Sequence, residues 1–190
     1  MANDDFAGLI RQVTTPLEEQ GVVYAITGSV ASSIHGEPRA SIDVDIVMNM
    51  RPNQVSRLVA DLGPRFYADA DVIRQACVDH SMTNVIHRKT SLKFDLSMLP
   101  DTPYYREVLR RRVWVEYPES DLRICVVSAE DIVLMKLLWR KTTGSRKQWE
   151  NALSVVRTQR TRLDWTYLRG WAAELGIKTD LEELAREAGI

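Results

Sequence analysis

The sequence predicts an α/β protein of the α+β kind, with a mixed twisted sheet flanked by helices and a helical bundle towards the C-terminus. Three observations predict this fold class. Strand-like apolar runs alternate with amphipathic helical stretches through the first two thirds of the chain. Short polar turns at Lys89 and around Pro118 join two pairs of strand-like runs, which predicts two hairpins. From Ser128 onward the periodicity is helical, so we expect one domain over residues 1–127 and a helical region over 128–190.

Composition places the chain among ordinary globular proteins. It has 190 residues, of which 45% are hydrophobic and 27% charged, enough for a domain with its own core and a small helical appendage. The net charge of -1 means that the field of the whole molecule does not favour nucleic acid. Cys77 and Cys125 stand alone in apolar contexts and predict buried thiols in a reducing compartment. The sequence shows no signal peptide and no apolar run of membrane-spanning length, so we expect a cytoplasmic protein without a membrane partner.

The elements follow from local patterns. Apolar residues at helical spacing predict a first helix over 4–20, which Gly21 ends. Further helices are predicted to start near Ser29 and Pro52 and to cover 69–79, 101–112, 146–156, 163–175 and 180–188, with another starting after the N-cap Ser128. Strands are predicted over 22–27, 83–88, 91–98, 113–117 and 122–127, with one more ending in Asp43-Val44-Asp45.

The strand that carries Asp43 and Asp45 has an unusual pattern. Side chains alternate faces along a strand, so both carboxylates are predicted to lie on one face. The residues predicted to face the core are Ile42, Val44, Ile46 and Met48. Two neighbouring carboxylates repel each other, and a hard divalent cation such as Mg2+ relieves this repulsion. The pattern therefore predicts a metal site rather than a purely structural strand.

Asp95 repeats this pattern on a later strand. It lies on the polar face of the predicted strand over 91–98, between core residues. If the two strands are neighbours in one sheet, Asp95 joins Asp43 and Asp45, and three carboxylates fit a two-cation site for phosphoryl chemistry. The alternative is an ordinary solvated strand residue.

Residues upstream of the first carboxylate strand suit phosphate binding. Gly28 allows a tight turn and Ser29 begins a helix whose free N–H groups favour phosphate, although a turn glycine with an N-cap serine has the same pattern. Arg39 can clamp a triphosphate or form an ion pair with a nearby acid. Ser41 is predicted to share the strand face of the carboxylates.

Together these residues carry a family resemblance. A G-S pair after a strand, followed by R-x-S-x-D-x-D on the next strand, resembles the nucleotidyltransferase superfamily of the polymerase-β type. The residues concerned are Gly28, Ser29, Arg39, Ser41, Asp43 and Asp45. The fuller pattern from Gly28 to Asp45 is similar to AbiEii-type nucleotidyltransferases, which are often toxins of toxin–antitoxin pairs. The resemblance implies a site that binds NTP and Mg2+ (or Mn2+), with the metal on Asp43, Asp45 and Asp95.

The resemblance extends to the helical region and departs from the family there. The segment from Ser128 to Lys136 resembles a family helix whose lysine serves the nucleotide; the alternative is that Lys136 extends along the helix to solvent. Arg146 is a further candidate for neutralising the triphosphate. Gln148 and Asn151 align with two aspartates of the family's D-x-x-D pattern. Amides cannot act as carboxylate bases, so the departure places substrate activation, and with it the toxin role, in question.

The predicted function is transfer of a nucleoside monophosphate from NTP to an acceptor hydroxyl, in a cleft between the two parts of the chain. An AbiEii-like toxin would act on tRNA or another RNA and would pair with a cognate antitoxin. The alternatives are a small-molecule enzyme of the aminoglycoside-modifying type and a non-catalytic nucleotide-binding module. The basic run Arg110-Arg111-Arg112 fits either an RNA contact or a helix C-terminus.

Overall fold

The computed structural model describes residues 5–38, 40–118 and 120–190. Within these ranges the chain divides into two compact units, each made from two separate stretches. The first unit comprises the described residues of Met1–Ile26 and Ser41–Val126, and the second those of Thr27–Ala40 and Val127–Ile190. Among the described helices, none has the length and apolar character that crossing a membrane requires.

Helices and strands alternate in the first part of the chain, and helices follow it. The helices are α1 (Phe6–Glu19), α2 (Gly28–His35), α3 (Val55–Leu62), α4 (Ala70–Asp79), α5 (Pro103–Arg111), α6 (Ala129–Thr143), α7 (Arg146–Gln159), α8 (Trp165–Glu174) and α9 (Lys178–Ala188). The strands are β1 (Val23–Ile26), β2 (Asp43–Asn49), β3 (Phe66–Tyr67), β4 (Met82–His87), β5 (Lys93–Met98), β6 (Val113–Glu116) and β7 (Arg123–Val126). This arrangement confirms the predicted α/β fold class.

The strands of the first unit form a mixed sheet. Among the described residues the strand order is β3-β4-β5-β2-β1-β7-β6. Strand β2 runs parallel to β5, and β1 runs parallel to β7. The remaining neighbours are antiparallel, including the β4–β5 and β6–β7 pairs that were predicted as hairpins. Because β2 lies between β1 and β5, its side chains are flanked by strands on both sides.

One face of this sheet forms the core of the first unit. Val44 pairs in register with Phe94, and Ile46 with Leu96, and all four side chains are fully buried. Helix α1 contacts β1, α4 contacts β4 and β5, and α3 contacts both α1 and α4. Since successive side chains point to opposite faces, this core places the intervening polar residues of β2 and β5 on the other face.

Two predictions about β2 are wrong. The strand begins at Asp43 and runs on to Asn49, instead of ending in Asp43-Val44-Asp45. Ile42 does not face the core, because it precedes the strand and is 87% exposed. The ladder with β5 starts at Asp43, so Ile42 has no paired neighbour that would bury it. Ile46 and Met48 supply the buried apolar surface further along the strand.

The second unit is a helical bundle around α6. Helix α6 contacts α2, α7, α8 and α9, and its residues from Glu130 to Leu137 are all buried. The predicted N-cap at Ser128 is confirmed, since its Oγ accepts a hydrogen bond from Asp131 N at 3.1 Å. Residues 27–40 belong to this unit, although the chain places them between β1 and β2. The functional division at residue 127 stays a prediction.

Candidate active site

The polar face of β2 and β5 brings the three predicted carboxylates together. In the parallel register Asp45 lies beside Asp95, and Asp43 lies beside Lys93. Neighbouring strands are about 4.8 Å apart, so paired residues on one face are direct neighbours. Asp43 and Asp45 are half-buried, whereas the side chain of Asp95 is only 8% exposed. The predicted adjacency of the two strands is therefore confirmed, and Asp95 is not a solvated residue.

Lys93 is a member of this cluster that the sequence reasoning did not assign. Its Nζ lies 2.8 Å from Asp95 Oδ2, and its side chain is 40% exposed. The hydrogen bond to Asp95 raises the pKa of Lys93, partial burial opposes the shift, and the charges of Asp95, Asp43 and Asp45 reinforce it. The alternation of the strand places Lys93 on the polar face, but its cross-strand neighbour Asp43 lies on a strand that is distant in sequence.

Ser41 orients the first carboxylate. Its Oγ donates to the backbone oxygen of Asp43 at 2.8 Å and lies 3.1 Å from Asp43 Oδ1. These contacts connect Ser41, two residues before the strand, to the carboxylate at the strand's start. Ser41 thus positions Asp43, and its predicted role in binding substrate stays a prediction.

The chemistry of the cluster suits a hard divalent cation. Asp95 Oδ1 is buried and has no hydrogen-bond partner in the described part of the protein, and such an oxygen is expected to have one. Carboxylate oxygens are the ligands that Mg2+ prefers. Within residues 5–38, 40–118 and 120–190, however, no three acidic, histidine or cysteine side chains are arranged to hold one metal ion. Asp45 and Asp95 lie side by side, and a metal site that uses all three carboxylates stays a prediction.

The predicted phosphate-binding turn lies at the start of α2 in the second unit. Gly28 is the first residue of the helix and has a φ of +63°, which L side chains rarely adopt. Ser29 follows it and is half-buried. The N-cap Thr27 makes no side-chain capping bond, and its hydroxyl lies 3.6 Å from the sulfur of Met135. The turn has the conformation expected from the sequence, and its role in phosphate binding stays a prediction.

The predicted cationic residues have different surroundings. Lys136 is only 2% exposed, so the alternative in which its side chain extends along the helix to solvent is wrong; its Nζ lies 4.9 Å from the centre of the Trp139 ring. Arg146 has an exposed side chain that pairs with Glu150 at 3.0 Å. Arg39 lies outside the described residues. Binding of a triphosphate by these three residues stays a prediction.

The two amides at the family's aspartate positions lie on α7. Asn151 is 3% exposed, and Gln148 Oε1 is buried without a hydrogen-bond partner among the described residues. Both amide side chains therefore point at least partly into the protein instead of lying on its surface. The two positions that align with the family's aspartates thus face inward in this structure.

A second acidic cluster joins α6 to α8 within the helical unit. Asp131 is fully buried, and its two carboxylate oxygens accept hydrogen bonds from Tyr167 at 2.6 Å and Ser128 at 2.7 Å. Glu130 accepts a hydrogen bond from the backbone N–H of Asp164 at 3.0 Å. These bonds satisfy the carboxylates internally, so this cluster has a structural role.

Comparisons with known proteins bear on the fold. No protein-family model and no curated protein matches the sequence. Among solved structures, the antibiotic-resistance factor ANT(2'')-Ia in solution covers 93% of this chain and 96% of its own, at 12% identity and a TM-score of 0.57. The chain has a nucleotidyltransferase-like fold. That finding agrees with the superfamily resemblance of the sequence motifs, and the AbiEii resemblance stays a prediction.

Two further structures have similar folds over most of the chain. The complex of ANT(2'')-Ia with adenylyl-2''-tobramycin covers 89% of this chain and 95% of its own, at 14% identity and a TM-score of 0.56. An antigenic nucleotidyltransferase-like protein from Paracoccidioides brasiliensis covers 98% and 94%, at 15% identity and a TM-score of 0.55. At these identities the similarity describes the fold alone, so any argument about function has to come from the residues of this chain.

Proposed function

We propose that the protein is a metal-dependent nucleotidyltransferase that moves a nucleoside monophosphate from an NTP to an acceptor hydroxyl. The observation that carries the proposal is the register of β2 and β5, which sets Asp45 beside Asp95 with Asp43 on the same face. A nucleotidyltransferase-like fold supports it. Like charges directly opposite each other on neighbouring strands destabilise the strand pairing, so the position of Asp45 beside Asp95 favours a functional role over a purely structural one.

Mg2+ or Mn2+ fits the residues of this cluster. Asp43 and Asp45 would hold the ion, and Asp95 Oδ1 is a buried oxygen that lacks a donor in the described structure. When bound, such an ion supplies positive charge that stabilises the developing charge on the phosphates. Ser41 keeps the Asp43 carboxylate in a fixed orientation for this task.

The proposed reaction is an in-line displacement at the α-phosphorus. The acceptor oxygen forms a bond to that phosphorus, the bond to the β-phosphate oxygen breaks, and pyrophosphate leaves. Asp95 has one of two roles: it positions a second metal ion, in which case the proton of the acceptor hydroxyl passes to solvent, or it receives that proton itself, which a carboxylate within hydrogen-bond reach can do. Charge neutralisation and positioning contribute most of the rate enhancement in this class of reaction.

A small hydroxylated molecule is the acceptor class that we favour. The structurally similar ANT(2'')-Ia has been determined with adenylyl-2''-tobramycin, and this chain matches it over nearly its whole length. The net charge of -1 also suits a cationic drug better than an anionic RNA. An aminoglycoside-type acceptor is therefore the first candidate.

RNA is the second candidate, on the basis of the AbiEii resemblance and the basic end of α5. Arg110 pairs with Glu107 through two hydrogen bonds of 2.6 and 2.7 Å, and Arg112 donates to the backbone oxygen of Leu109 at 2.5 Å. These local contacts favour the helix-terminus interpretation of the run. A tRNA acceptor and a cognate antitoxin belong to this second candidate, whereas a cytoplasmic location is proposed for both candidates.

The test is a transfer assay with purified protein, Mg2+ and each labelled NTP, offered an aminoglycoside panel and, separately, total tRNA. The Asp43→Ala/Asp45→Ala variant is the inactive control, and Glu116→Gln, an exposed acid on β6, is the matched active control. Label on a drug that only the first variant loses supports the favoured acceptor, and label on tRNA supports the second. Full transfer by the double variant overturns the mechanism, and absence of Mg2+-dependent NTP binding indicates a non-catalytic module.

A further inference from the structure

The polar face of β2 and β5 carries a block of four charged side chains. Asp43 pairs across the strands with Lys93, and Asp45 pairs with Asp95. The block therefore contains three carboxylates and one ammonium group, all on neighbouring positions of one sheet face. The ammonium is a cation that the protein itself supplies to the place where the metal ion is expected.

We propose that Lys93 competes with divalent cations for Asp95, so that the Lys93–Asp95 ion pair must open before Asp95 binds a metal ion. The proposal rests on the proposed function, because it takes the carboxylates as metal ligands. It adds a residue that sets the metal affinity of the site without itself being a ligand.

The contacts of Asp95 support competition. Lys93 Nζ lies 2.8 Å from Asp95 Oδ2, which is the distance of a charge-assisted hydrogen bond. A metal ion at Oδ2 would occupy the same space as the ammonium. A metal ion at the buried Oδ1 would lie within a few Å of it, and the two positive charges would repel each other.

The two partners differ in their freedom to move. Asp95 is 8% exposed and lies within β5 between two neighbouring strands, so its carboxylate has little room. Lys93 is 40% exposed, and its charge sits on a flexible four-carbon stem. Opening the pair therefore means a rotation of Lys93 towards solvent, with the sheet unchanged.

An experiment can distinguish direct competition of Lys93 for Asp95 from a general electrostatic effect of the lysine charge on metal binding. If Lys93 acts only through its field on Asp43 and Asp45, removing its charge tightens metal binding equally with or without Asp95. If it competes for Asp95, the gain requires Asp95. A double-mutant cycle of Lys93→Met and Asp95→Asn distinguishes the two cases.

The experiment measures Mn2+ binding to the full chain by calorimetry and electron paramagnetic resonance. Lys93→Met is expected to tighten binding about tenfold, in the usual range for coupled sites. In the Asp95→Asn background the same change is expected to matter less than about twofold. Lys93→Arg, which keeps the charge, should bind as the wild type does. Lys89→Met, in the turn between β4 and β5, is the matched control for loss of one nearby charge.

Thermal unfolding in EDTA gives a readout independent of metal affinity. Lys93→Met leaves the buried Asp95 carboxylate without its ion pair and should lower the melting temperature by about 3–6 °C, a loss that Mn2+ restores. Equal Mn2+ affinity in the wild type and Lys93→Met, or equal gains in both backgrounds, overturns the proposal while metal-dependent transfer still stands. Absence of Mn2+ binding in both proteins overturns the proposal together with the metal dependence of the proposed function.

Discussion

The two acidic clusters of this protein use their carboxylates in opposite ways. In the helical unit, both oxygens of the buried Asp131 accept hydrogen bonds, from Tyr167 and from Ser128. On the sheet, Asp45 and Asp95 lie side by side, and Asp95 Oδ1 has no donor in the described part of the chain. The hydrogen-bonded Asp131 carboxylate stabilises the fold, whereas the buried Oδ1 of Asp95, beside a second carboxylate, suits the metal ion proposed above. The same substitution should therefore have opposite consequences in the two places.

The largest expected effect is loss of transfer activity at the sheet cluster. Asp45→Asn removes charge where the metal ion is expected, so turnover should fall by at least about a hundredfold. The melting temperature should stay the same or rise, because the substitution relieves repulsion with Asp95. Steady-state kinetics and calorimetry on the same sample check both parts. A variant that lost stability and kept activity would contradict the division between the clusters.

The second effect is loss of stability at the helical cluster. Asp131→Asn keeps the shape of the side chain but weakens two bonds to a carboxylate, so the free energy of unfolding should fall by about 2 kcal/mol. For a chain of this size the melting temperature drops by about 4–8 °C. Tyr167→Phe removes one of these bonds and should have a smaller effect in the same direction. Activity per folded molecule should be unchanged. Urea titration measures the loss of stability, and kinetics at low temperature, where the variant is folded, measure the activity.

The third effect concerns the packing of α2 within the helical unit. A Cβ added to Gly36 would lie 2.8 Å from Ser154 Oγ, 2.9 Å from Ser32 O and 3.1 Å from Val155 N. Gly36→Ala should therefore destabilise the protein by about 1–3 kcal/mol. Gly170→Ala is the control, since nothing lies within 4 Å of its added Cβ and alanine favours a helix by about 0.5–1 kcal/mol. A stabilising Gly36→Ala would contradict the close contact with Ser154.

The smallest effect is a pH dependence carried by His35. Burial lowers the pKa of His35, while its hydrogen bond of 2.8 Å to the Val127 backbone oxygen and the charge of Glu130 oppose the shift. Between the lowered pKa and the ordinary value near 6.5 the unfolded chain binds more protons, so stability falls as the pH is lowered through about 6.5. The slope contributed by this residue is at most about 1.4 kcal/mol per pH unit. Urea unfolding of wild type and His35→Gln near pH 7 and near pH 5.5 should show a shallower decline in the variant.

The sequence predicted the elements well because their signals are local. Alternation along residues 43–49, polar turns between paired strands and the N-cap at Ser128 each depend on a few neighbouring positions. The errors arose where the outcome depends on distant partners. Alternation along the sequence assigns Ile42 to the core face, but the ladder between β2 and β5 begins only at Asp43. The sequence pattern does not show where that ladder begins. The alternation of residues 91–98 predicted the adjacency of Asp95 to Asp45, provided that the two strands were neighbours.

The site could be predicted only in part for the same reason. The acids at positions 43, 45 and 95 are visible as polar interruptions in apolar strands. Lys93 looked like any other polar-face residue. Its ion pair with Asp95 lies within β5, but its position beside Asp43 depends on the parallel register of β2 and β5, which the local sequence does not show. Burial of Lys136 was equally hidden, because local periodicity does not show which side of α6 other helices cover.

The discontinuity of the two units has a consequence for how the chain folds as it is synthesised. Helix α2 emerges early, but the helices α6 and α7 that it packs against are made only after all the strands of the sheet. Strand β1 likewise cannot complete its pairing until β7 has been synthesised, since Ile26 pairs with Val126. The sheet unit can close once residue 126 has left the ribosome, while α2 keeps its apolar residues Val30 and Ala31 uncovered until α6 and α7 follow. Nascent chains stopped between these points carry an unpartnered helix and should be the species most prone to chaperone binding and aggregation.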